Sequence, residues 1–149
     1  MMERASKIEM EPRQAFDTVT LDYDGRFQRR RVMRTDNGLD FLLDLPKTID
    51  MQPGSFLCLE SNRYIEVLAA SERLMKVCAE SHTHLVRLAW HIGNRHLPCV
   101  VASDFLLIHY DHVIGSMIET LGGAVCEVNA PFVPEGGAYG VGRTHTHEH

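Results

Sequence analysis

The sequence predicts an α+β protein with an all-β unit first, a ferredoxin-like βαββαβ unit second, and a flexible histidine-bearing tail last. Three observations carry this. Apolar residues alternate with polar ones up to about Ala70, and no 3.6-residue apolar period appears there. Beyond Ser71-Glu72 two segments place apolar residues at i, i+3, i+4 and i+7, the signature of amphipathic helices. The last fifteen residues, EGGAYGVGRTHTHEH, are rich in glycine and hold no large core residue except Tyr139. The expected boundaries are 1–71, 72–134 and 135–149.

In the first unit Val19, Leu21 and Tyr23 alternate with Thr18, Thr20 and Asp22, and Asp24-Gly25 signals a turn. Leu39, Phe41, Leu43 and Leu45 alternate after a second turn at Asp36-Asn37-Gly38. Pro53-Gly54 makes a third turn, followed by short strands over 55–60 and 64–68. A basic run, Arg26, Arg29, Arg30, Arg31 and Arg34, lies on one of these strands. Such a run reads as a solvated edge strand that resists edge-to-edge pairing, or as a docking surface for an acidic partner. Without interleaved aromatics it is a poor nucleic-acid site.

In the second unit 74–79 reads as a strand. A helix follows with Leu85, Leu88, Ala89 and Ile92 on one face, Ser81 as N-cap and Gly93-Asn94 as its stop. Residues 97–102 and 105–109 read as two strands. Asp111 caps a second helix whose face is Ile114, Met117, Ile118 and Leu121, ended by Gly122-Gly123. A last strand covers 124–128. The order is βαββαβ, the ferredoxin-like arrangement. With about 70 residues in each half a single core is marginal, which favours mutual packing or dimerisation.

Composition excludes several functions. The net charge of −5 disfavours bulk nucleic-acid binding. No apolar run reaches the roughly 18 to 20 residues that span a bilayer, and the charged N-terminus lacks an apolar signal core. A cytoplasmic location with no membrane partner is the expectation. Cys58, Cys78, Cys99 and Cys126 form no C-x-x-C pair and sit among apolar residues, so buried reduced thiols are expected.

Histidine is the outlier. All nine lie in the second half: His82, His84, His91, His96, His109, His112, His145, His147 and His149. The last three alternate with Thr146 and Glu148, and in an extended chain alternate side chains share a face about 6 to 7 Å apart. That strip suits a borderline metal ion; the bland reading is a solvated tail or a cloning remnant. His96 follows the glycine stop and belongs to a loop or strand start, where it serves as a structural residue or a ligand. His91 ends the first helix; His109 and His112 flank the second. The spacing of His91 and His96 is not H-E-x-x-H, and no serine has nucleophile-elbow glycines around it. The His109-Tyr110-Asp111-His112 cluster could do acid–base work, but nothing in the sequence builds a closed pocket around it.

The segments LAWHIGNRHLP, HYDHVIGSMIETLG and PFVPEGGAYG, with the histidine tail, resemble the UreE urease accessory protein family. The resemblance covers the second half closely and the first more loosely. It implies a nickel metallochaperone, not itself an enzyme, with a peptide-binding-like β domain, acting as a homodimer in which two copies of His96 share one Ni²⁺. His145, His147 and His149 then supplement the coordination. It further implies delivery to the urease apoprotein complex through the GTPase UreG and other urease accessory proteins. Some members carry H-H-D-H before the second helix; this chain has His109-Tyr110-Asp111-His112, so His112 matches while one auxiliary ligand is replaced by Tyr110. Imidazole donors also suit Cu²⁺ and Zn²⁺, and the Irving–Williams order ranks copper above nickel. Nickel selectivity therefore follows from the resemblance alone. The alternatives are a general divalent-metal buffer that uses the C-terminal histidines and, disfavoured by the absence of a carboxylate near His96, a metal-dependent hydrolase built on His91, His96, His109 and His112.

Overall fold

The computed structural model describes residues 1–137 and Arg143. They form two compact units, the first Met1–Ala70 and the second beginning at Ser71.

The first unit contains six strands: β1 (Glu3–Glu9), β2 (Ala15–Leu21), β3 (Phe27–Arg34), β4 (Asp40–Asp50), β5 (Phe56–Leu59) and β6 (Tyr64–Ala69). They make one sheet in the order β2-β6-β5-β1-β4-β3. Alternation buries one side of each strand, and Val19, Phe41, Leu43, Leu45, Leu57, Leu59, Ile65 and Val67 make the core. The turns fall where their residues demand them. Gly38 and Gly54 take φ of +96° and +85°, a conformation that L side chains rarely adopt.

Two features of this unit differ from expectation. Residues 3–9 form a strand, although ERASKIE has too little apolar character to announce one. β1 lies inside the sheet, parallel to β4 and antiparallel to β5, with Ala5 fully buried. Its partners lie far away in sequence, 38 residues for Glu3↔Phe41 (41 − 3) and 54 for Ala5↔Leu59 (59 − 5), so the pairing is invisible to local pattern. The second difference is Arg26, which is 2% exposed rather than solvated. Its guanidinium donates to the Leu21 carbonyl at 2.9 Å and so belongs to the interior of the turn.

The second unit runs β7 (Ser71–Cys78), α1 (His82–Asn94), β8 (Val100–Val101), β9 (Leu106–His109), α2 (His112–Thr120) and β10 (Ala124–Pro131). This is the βαββαβ order, with an antiparallel sheet ordered β10-β7-β9-β8. Met75 and Val77 of β7 and Leu106 and Ile108 of β9 join Leu85, Leu88, Ile92 and Ile118 in one core, so both helices cover the same sheet face. Ser81 caps α1 by accepting from the His84 amide, and Asp111 caps α2 by accepting from Val113 and Ile114. A Cβ on Gly123 would meet Ile118 Cγ2 at 2.7 Å, so only glycine fits where the chain leaves α2 for β10.

β8 is shorter than the strand expected over 97–102. Pro98 has no amide hydrogen to donate to a ladder, and Leu97 is used in terminating α1. The cysteines are less buried than expected. Cys58, Cys78 and Cys99 are half-buried, and Cys126 is exposed, paired with Lys76 on the sheet face away from the helices. The expected tail lies almost wholly outside the described residues.

Candidate metal site

His96 occupies a backbone position that its residue type does not favour. The expected stop at Gly93-Asn94 is not where α1 ends: both residues are helical, and Arg95 is the C-cap. The left-handed residue that reverses the chain is His96 itself, with φ of +58°. Its amide donates to the Gly93 carbonyl at 3.0 Å, and the Leu97 amide donates to the Ile92 carbonyl at 3.4 Å. These two bonds are the Schellman pattern, with histidine at the position usually given to glycine. Leu97 and Ile92 both join the core, which supplies the apolar contact that accompanies the motif. The His96 backbone is thus held from both sides while its side chain stays exposed. Gly93 is free to be helical because the left-handed conformation falls three residues later.

The helix that precedes His96 carries an exposed apolar stripe. Val86 and Trp90 lie four residues apart on α1, off the face that enters the core, and are 54% and 63% exposed. Gly93 continues this stripe, and nothing lies within 4 Å of the place its Cβ would take. His91 is half-buried and meets the Trp90 indole edge to face, with ring centroids 5.1 Å apart.

The remaining histidines serve different environments. His84 Nδ1 accepts from the Glu80 amide at 3.1 Å, and Nε2 faces the Leu121 carbonyl at 2.8 Å. Those partners require the neutral Nε2–H tautomer, which ties the start of α1 to the end of α2. His109 lies on the helix-free face of the sheet. Its Nε2 is 2.9 Å from Glu72 Oε1, and its ring packs on Phe132 with centroids 4.3 Å apart. His112 is the first residue of α2 and is exposed. It lines a cleft of about 260 Å³ with Met75, Tyr110, Glu119 and Cys126 among others. The Arg73 guanidinium lies 3.6 Å above the Tyr110 ring, so the residue standing where an auxiliary ligand was expected is held in a cation–π contact.

Among the described residues no three histidine, cysteine or acidic side chains converge closely enough to hold a metal. His91, His96, His109 and His112 therefore form no joint centre within one chain. Burial, and secondarily the Glu135 carboxylate, pushes the Cys99 thiol up to about 11, so it stays protonated near neutral pH. His145, His147 and His149 lie outside the described residues.

One connection was not legible in the sequence. After β10 the chain crosses the helix-free face, burying Phe132, and the Glu135 amide donates to the Cys99 carbonyl at 2.9 Å. β10 and β8 are opposite edges of the sheet. The crossing delivers the base of the tail three positions from His96. The exposed Val86-Trp90 stripe, by contrast, is readable in the sequence from its i, i+4 spacing beside the core face.

Comparison with known proteins agrees along the whole chain. Residues 2–70 match the model of the N-terminal domain, and residues 72–149 that of the C-terminal domain, of the UreE urease accessory protein. A urease accessory protein UreE from Chelativorans sp. (strain BNC1) is 49% identical over 147 residues, spanning 99% of this chain and 91% of the relative. One from Ruegeria sp. (strain TM1040) is 52% identical over 87% of this chain and 72% of the relative. One from Ruegeria pomeroyi is 49% identical over 91% and 89%. The chain belongs to the UreE urease accessory protein family.

Proposed function

We propose that the protein is a nickel metallochaperone which, as a homodimer, carries Ni²⁺ between two copies of His96 and delivers it for assembly of the urease active site. The family is one of accessory proteins and not of enzymes. The observation that carries the reading is the exposed side chain of His96 on a left-handed backbone held by the bonds that end α1. One such imidazole is an incomplete shell. Val86, Trp90 and the bare backbone at Gly93 suit close approach of a second copy, which would bring two His96 rings together.

The tail supplies further donors in this reading. His145 is ten residues beyond Glu135 (145 − 135), and an extended chain spans about 33 Å over that length. His145, His147 and His149 can therefore reach a metal at His96, add to its shell and withdraw again, which suits a carrier that binds and releases. His112, exposed at the start of α2, is a lesser candidate for an auxiliary ion. Cu²⁺ and Zn²⁺ compete for the same imidazoles. Selectivity then comes from docking to the urease apoprotein complex through the GTPase UreG and its fellow accessory proteins. The expected compartment is the cytoplasm; among the described residues no helix is long and apolar enough to cross a membrane.

The test is nickel titration calorimetry on the wild type, His96→Ala and a form ending at residue 137, with mass measured alongside. The wild type is expected to be a dimer with one tightest site per two chains. His96→Ala loses that site and remains a dimer. Truncation lowers affinity or ion number and leaves the dimer intact. Unchanged nickel binding in His96→Ala overturns the ligand assignment. Urease activation that is the same with and without the GTPase favours a general metal buffer instead.

A further inference from the structure

The basic run of the first unit separates into chemically distinct pieces. Arg26 is interior and bound to the Leu21 carbonyl. Arg34 makes a two-pronged pair with Asp40 at 2.7 and 3.2 Å. Arg29, Arg30 and Arg31 remain, consecutive and exposed. Arg30 reaches Asp44 only at 4.0 Å. Among the described residues the Arg29 and Arg31 side chains have no carboxylate or hydrogen-bond partner.

These residues lie on β3, the last strand of its sheet, so one side of its backbone has no ladder. The other edge of the sheet is less accessible. At β2 the Asp36 amide donates to the Thr18 carbonyl at 2.8 Å, and the Asp36 carboxylate accepts from the Thr18 and Thr20 hydroxyls. The open edge is thus the cationic one, in a chain whose net charge is −5. Val32, 56% exposed, adds an apolar foothold within the same strand.

We propose that the β3 edge is a docking surface for an extended acidic segment of a partner protein, which adds to the sheet as a seventh strand. Backbone hydrogen bonds would supply affinity, and carboxylates set against Arg29 and Arg31 would supply selection. The same arginines repel a second β3, so the edge refuses its own kind while admitting an acidic strand. Nucleic acid fits less well, because no aromatic side chain interleaves the arginines. The proposal is independent of the nickel reading.

The test uses the full chain and a fluorescent ten-residue peptide of alternating Glu and Val, followed by anisotropy at low salt. The wild type is expected to bind it, and Arg29→Glu/Arg31→Glu to bind at least tenfold more weakly with unchanged thermal unfolding and nickel titration. Methylating alternate peptide amides, which removes their hydrogen bonds, should weaken binding by a similar factor. A Lys/Val peptide should not bind. Absence of binding to the wild type, or equal binding by the variant, overturns the proposal. Equal binding of the methylated peptide, or of single-stranded DNA or phosphatidylserine vesicles, reduces the edge to a general polyanion patch and also overturns it.

Discussion

Replacing His96 by glycine should strengthen the fold while destroying the proposed metal site. At φ of +58° a side chain brings Cβ against the backbone, at a cost of about 1 to 2 kcal/mol for an ordinary L-residue. Glycine removes that cost but adds freedom to the unfolded chain, worth about 0.4 to 1 kcal/mol in the opposite direction. The best comparison is with His96→Ala. Both variants lose the imidazole and every contact it makes, so their difference isolates the backbone. His96→Gly should therefore be the more stable by about 0.5 to 1 kcal/mol, which for a domain of this size is a rise of roughly 2 to 8 °C in melting temperature. The assay is scanning calorimetry of the metal-free proteins, with nickel titration of each. Neither variant should retain the tightest nickel site. A glycine variant that melts at or below the alanine variant would refute the claim that His96 holds a strained helix terminus. A glycine variant that keeps the site would refute the claim that its imidazole is the ligand. The wild type accepts histidine where glycine would stabilise, the pattern expected when a ligand must be held at a fixed place.

Gly123→Ala should destabilise the second unit by about 1 to 3 kcal/mol, because the new methyl would stand 2.7 Å from Ile118 Cγ2 and 3.3 Å from the Ile118 carbonyl oxygen; urea unfolding reads this directly, and a neutral result would mean the α2–β10 junction shifts freely. Asp17 gives an acid-stability prediction for the first unit. Burial pushes its carboxyl up, but hydrogen bonds from Thr35, Thr18 and Asn37 outweigh this and hold it below the ordinary 3.8. A lowered carboxylate contributes stability above its unfolded value and loses it as pH falls through the folded value. The stability advantage of the wild type over Asp17→Asn, measured by denaturant titration, should therefore be full at pH 5 and shrink from about 4 downward. An advantage that stays constant with pH would show that ionised Asp17 is not the acceptor those bonds require.

Much of the second unit was legible because its signals are local. Leu85, Leu88 and Ile92 repeat at helical spacing, and Ser81 and Asp111 each cap through amides two or three residues away. The turns at Gly38 and Gly54 were legible because the required φ restricts the residue type. β1 was not, because Ala5 becomes core only when β4 and β5 close on either side. The stop at Gly93-Asn94 was misplaced for a related reason. Glycine favours a left-handed terminus, but the anchoring of Leu97 beside Ile92 moves the reversal to His96.

The sequence by itself determined the two units, the crowding of histidines into the second and the family, since all of these are properties of residue order and type. Tertiary structure decided which arginines are interior or paired and which stand open on β3. It also decided that His96 bears the helix reversal, and that the chain returns across the sheet to set the tail's base at Cys99. Those facts depend on contacts between residues far apart in the chain, where the free energy of packing overrides local conformational preference.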